Sequence, residues 1–144
     1  MRKIIPPKVT VIDTEYVTLW FYPATRILHH KIHKFMPANI FRDVFGAGVE
    51  YLEQHKVLKW LSDDSGNTVL SQENADWART VWIPRARRAG FKYWAAVMPA
   101  QAIGRLQMRK FVEEYGQLGF TVQAFQDVDE AMTWLESVDR AGEK

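Results

Sequence analysis

Between residues 57 and 90 the chain reads as an apolar run of strand length, an acidic turn and an amphipathic helix, and no other stretch restricts the fold as much. Residues 57–61 have strand character, Asp63, Asp64, Ser65 and Gly66 form a loop, and a helix opens with Ser71 as its N-cap. This is the β–α half of a βαβ unit. Ligands and partners of open α/β sheets meet the carboxyl ends of the strands. The expected site therefore combines Asp63, Asp64, Ser71 and Glu73 with Met98 and Gln101, which follow the next strand.

The flanking stretches repeat the pattern. Residues 15–22 alternate as a strand, Pro23 presets a turn, and residues 27–34 return as the second arm of an antiparallel hairpin. Residues 9–12 offer an extra edge strand within an N-terminal tail, residues 1–14. A first long helix spans residues 37–55, with Phe41, Val44, Phe45 and Leu52 on one stripe. Gly48 falls on that stripe and predicts a close approach to the sheet. The next helix covers residues 72–89, and Pro84 inside it predicts a kink or break near Trp82 and Ile83. Residues 91–98 contain a continuous apolar run, the mark of a strand buried on both faces. A helix over residues 102–117, with Leu106, Met108, Phe111, Val112 and Tyr115 at core-like spacing, leads to an edge strand at 120–125. Asp127 and Glu130 form a capping-box pair for the last helix, and residues 139–144 are read as frayed. The order β-β-α-β-α-β-α-β-α predicts one α/β domain over residues 1–144, with a mixed sheet of four to five strands.

Composition narrows the function classes. Without cysteine, disulfides, thiolate nucleophiles and Cys-ligated metals are excluded, which fits a reducing, cytoplasmic setting. A formal charge of +2 argues against nucleic acid, and no apolar run is long enough to cross a bilayer. The nineteen aromatic residues point mainly to a dense core.

His29, His30 and His33 invite a metal reading. Neighbours on a strand face opposite ways, and His29 and His33 would stand about 13 Å apart. No metal is assigned, and the imidazoles are read as side chains on a half-exposed strand. Asp63 and Asp64 lack the later aspartate and lysine of a phosphoreceiver site, and no nucleophile elbow, phosphate loop, dinucleotide fingerprint or zincin motif occurs. No catalytic residue and no cofactor is assigned.

The hairpin, the signals of Trp82, Pro84, Ala89 and Gly90, and the ending F-x-D-x-x-x-A-x-x-W-L of Phe125, Asp127, Ala131, Trp134 and Leu135 resemble the SpoIIAA-like proteins. These small bacterial proteins are related to STAS domains and grouped with lipid-binding SEC14-type folds. The resemblance spans residues 15–137 and implies a compact sheet packed with helices and, for most members, no enzymatic activity. Ser71 stands where STAS antagonists carry a phosphoserine, but Gln72 and Glu73 follow it rather than Ser-Gly. It is read as a structural cap, with the phosphoswitch as the alternative. The favoured function is a non-catalytic protein-interaction or regulatory module with a protein partner. A small-molecule or lipid-binding protein with an apolar pocket is the second reading, and an enzyme with an unrecognised site the third. The open hairpin edge also offers pairing to a second copy.

Overall fold

The computed structural model describes residues 7–66, 71–99 and 102–139. Six strands lie in one sheet in the order β1-β2-β3-β4-β5-β6. β1 (Val9–Asp13), β2 (Val17–Tyr22) and β3 (Ile27–Ile32) form an antiparallel meander. β4 (Lys59–Asp63), β5 (Tyr93–Val97) and β6 (Thr121–Phe125) then extend the sheet in parallel from β3. The expected count of four to five strands is thus corrected to six, because β1 is a full member of the sheet. The outer edge of the meander belongs to β1, and a register shift between Thr10 and Ile12 interrupts it.

Each parallel crossover steps one strand in the same direction, so a constant handedness places the intervening helices on one face. α1 (Ala38–His55), α2 (Gln72–Trp77), α3 (Ile83–Arg88) and α4 (Ala102–Gln117) provide that layer. Their buried residues pack on Leu19, Leu28, Trp60 and their neighbours. α5 (Val128–Ser137) follows β6 and covers the opposite face, where Ala131, Met132 and Leu135 meet Ile27, Leu61 and Ala95. The Asp127 carboxylate caps α5 by accepting from the Glu130 backbone N–H at 3.3 Å. No helix among the described residues is long and apolar enough to cross a membrane.

Three local expectations are refined or corrected. The strand expected at 57–61 is β4, Lys59–Asp63, so Asp63 lies in the sheet and is buried rather than in a loop. The expected kink or break near Trp82 and Ile83 takes the form of a π-helical turn, Ala78–Trp82, in which the Ile83 N–H bonds the Ala78 carbonyl. Widening the turn ahead of Pro84 relieves its missing N–H without stopping the helix, and it brings residues five apart to one side. Leu106, expected at a core-like position, is exposed. The residues expected to fray beyond Asp139, and residues 1–6 of the N-terminal tail, lie outside the described residues.

Candidate functional site

On the layer face of the sheet, alternation aims Leu28, His30 and Ile32 of β3 the same way as Trp60 and Ser62 of β4. Register sets His30 beside Ser62. The two histidines expected on opposite faces do diverge, but neither is half-exposed: His29 and His30 are both buried. His33 lies beyond β3, its Nε2 2.8 Å from the Thr18 hydroxyl.

His30 sits in a chain of hydrogen bonds that assigns its tautomer. The Trp60 indole N–H donates to His30 Nδ1 at 2.9 Å, and Nε2 lies 2.8 Å from Asp64 Oδ1. An indole N–H can only donate, so Nδ1 accepts and the ring proton resides on Nε2, directed at the carboxylate. The Trp94 indole N–H likewise donates to the Ser62 hydroxyl oxygen at 2.8 Å.

His30, Ser62 and Trp94 form the floor of a part-open cleft of about 90 Å³ at the carboxyl ends of β3, β4 and β5, with Trp60 behind them, outside its lining. Phe41 and Phe45 of α1 form one wall. Ala78, Trp82 and Ile83 form the second, with Ala78 and Ile83 brought together by the π-turn. Met108, Phe111 and Tyr115 of α4 close the third, and Asp64 and Pro99 stand at the strand ends. Burial pushes the Tyr115 phenol up to about 12, so it remains a neutral hydroxyl at physiological pH.

Ser62, His30 and Asp64 together suggest a nucleophile, base and orienting acid, but the bonding contradicts this. A triad base must accept from the nucleophile while donating to the acid. Here the accepting nitrogen of His30 is occupied by Trp60, and the serine oxygen by Trp94. On the opposite face, burial foremost, with the nearby His30 adding, holds the His29 imidazole down at about 3, although Asp63 pulls the other way. Its Nδ1 is 3.1 Å from the Tyr22 hydroxyl, and its Nε2 has no partner among the described residues. Among those residues no three His, Asp or Glu side chains gather closely enough to hold a metal ion.

The expected site residues are thus divided. Asp64 lines the cleft, while Asp63 is buried, its Oδ1 accepting from the Ser65 N–H at 3.2 Å and hydroxyl at 2.6 Å. Ser71 is an N-cap, accepting from the Asn74 N–H at 3.1 Å. Ser71→Ala should therefore cost about 1 kcal/mol in denaturant unfolding, and Ser71→Asp should stay close to wild type. Glu73 is exposed and pairs with Arg42 of α1 at 3.4 Å, a basic partner too distant in sequence to be foreseen. Met98 donates its backbone N–H to the Phe125 carbonyl, and Gln101 lies outside the described residues. His30, Trp60 and Trp94 were not anticipated as site residues. The sequence shows their aromatic character, but only register brings them together.

Comparison with protein-family models, with curated proteins and with solved structures finds no match to this chain.

Proposed function

We propose that this protein is a non-catalytic binding module of the SpoIIAA-like type, whose ligand is a small, largely apolar molecule seated between the sheet and α1, α3 and α4. The observation that carries this reading is the cleft itself, with aromatic walls and a polar floor fixed by the Trp60–His30–Asp64 chain. Apolar pockets with a few oriented polar groups are the usual form of small-molecule sites. At about 90 Å³ the cleft is smaller than the roughly 300 Å³ typical of drug-sized ligands. Water needs about 10–15 Å³ of such space, so the occupant has on the order of six to nine heavy atoms. The small-molecule reading gains over a protein-partner surface because Asp63 is buried and the Ser71 hydroxyl already serves as a cap. A non-catalytic role is supported by His30, whose two ring nitrogens are both engaged.

Trp82 and Trp94 line the cleft, so binding should alter intrinsic fluorescence. Titration with a series of four- to seven-carbon alcohols should give a saturable change. Ala96→Phe on the floor, or Ala78→Leu on the wall, should abolish it while the far-ultraviolet circular dichroism is retained. A linear response, or one unaffected by either filling substitution, would overturn the reading.

A further inference from the structure

The charge of the cleft points to its ligand class. Among the described residues its lining contains no lysine or arginine, and Asp64 is the one carboxylate. The neighbouring imidazole does not neutralise that charge, because the Trp60 bond leaves Nδ1 without a proton. Asp64 uses Oδ1 for His30, while Oδ2 accepts from no described residue. The rings of Phe41, Phe45, Trp82, Trp94, Phe111 and Tyr115 line the same cleft. Aromatic faces carry negative potential, and several around one carboxylate form the surroundings in which ammonium groups are held.

We infer that the cleft selects a small organic cation, an alkyl- or quaternary ammonium of about choline's size. The inference rests on the proposed binding role and adds the charge of the ligand. An anion would meet Asp64 unfavourably, and a neutral apolar ligand would cover part of the carboxylate, whose side chain is 23% exposed, without supplying a counter-charge. A cation satisfies both the carboxylate and the ring faces, and a hydroxyl on the same ligand can donate to Oδ2.

Isothermal titration with choline and with 3,3-dimethylbutan-1-ol tests this. The pair shares shape and hydroxyl and differs in the charged nitrogen. Choline should bind at least tenfold more tightly. Asp64→Asn, which keeps an oxygen for the His30 N–H, should bring the two affinities within about twofold. Equal or tighter binding of the alcohol to the wild type, or an unchanged ratio in Asp64→Asn, would overturn the cation inference and leave the binding role standing. Failure of both probes while the longer alcohols still bind saturably would also overturn it. Failure of every probe would overturn the binding role with it.

Discussion

Gly48→Ala is expected to destabilise the protein by about 1–3 kcal/mol, although alanine is favoured over glycine inside a helix by about 1 kcal/mol. A Cβ at this position of α1 would stand 2.7 Å from Cζ3 of Trp60 and closer still to Cη2. The indole cannot easily withdraw. It stacks on Phe45 with ring centres 5.6 Å apart, meets Trp82 edge-on at 5.3 Å, and is bonded through Nε1 to His30. A double-mutant cycle isolates the clash. Trp60→Leu alone should cost about 2–4 kcal/mol through lost burial and an unpaired His30 Nδ1. In that background Gly48→Ala should become neutral or stabilising by up to about 1 kcal/mol. Urea midpoints at constant m-value give the coupling. A neutral Gly48→Ala in the wild type would show that α1 does not approach the sheet as closely as described.

Acid should unfold the protein earlier than its carboxylates alone require. With the His29 imidazole held at about 3 in the folded state against 6.5 as its ordinary value, only the unfolded chain takes up this proton between those limits. Stability from His29 is therefore full above pH 6.5 and declines as pH falls towards 3. At 1.36 kcal/mol per pH unit the loss between pH 7.5 and pH 5 is about 2 kcal/mol. His29→Leu sacrifices the Tyr22 contact at every pH, so the diagnostic quantity is the slope rather than the absolute stability. The variant should lose about 2 kcal/mol less than the wild type over that interval, as measured by urea unfolding at the two pH values. Parallel slopes would place the His29 ring in contact with water.

Much of the fold was legible because it depends on local pattern. The apolar stripe of Phe41, Val44, Phe45 and Leu52 places α1, and Gly48 on that stripe marks the close approach. Ser71 and Asp127 mark their helix starts through side-chain caps that act within three residues. β4 was less legible because its polar residues resemble a strand end. Lys59 is buried against Asp139 at 2.8 Å, Ser62 accepts from Trp94, and Asp63 from Ser65. Two of these three partners lie far away in sequence, so a polar residue that is satisfied in the sheet looks like one destined for a loop. The same limit hid the site. His30, Trp60 and Asp64 are joined by strand register, and neither the periodicity of β3 nor that of β4 specifies how the two strands align. The π-turn before Pro84 has no pattern of its own, and the proline signals only that the ordinary ladder cannot continue.

The account rests most directly on a ligand entering the cleft, and the six tryptophans make that measurable by nitrogen-15 NMR of their indole N–H groups. Trp82 and Trp94 line the cleft, whereas Trp20 and Trp134 contact His29 and Phe125 on the opposite face. Titration with choline should shift the Trp82 and Trp94 indole resonances along a common saturation curve and leave Trp20 and Trp134 in place. Shifts confined to Trp20 or Trp134, or shifts of all six that never saturate, would contradict it.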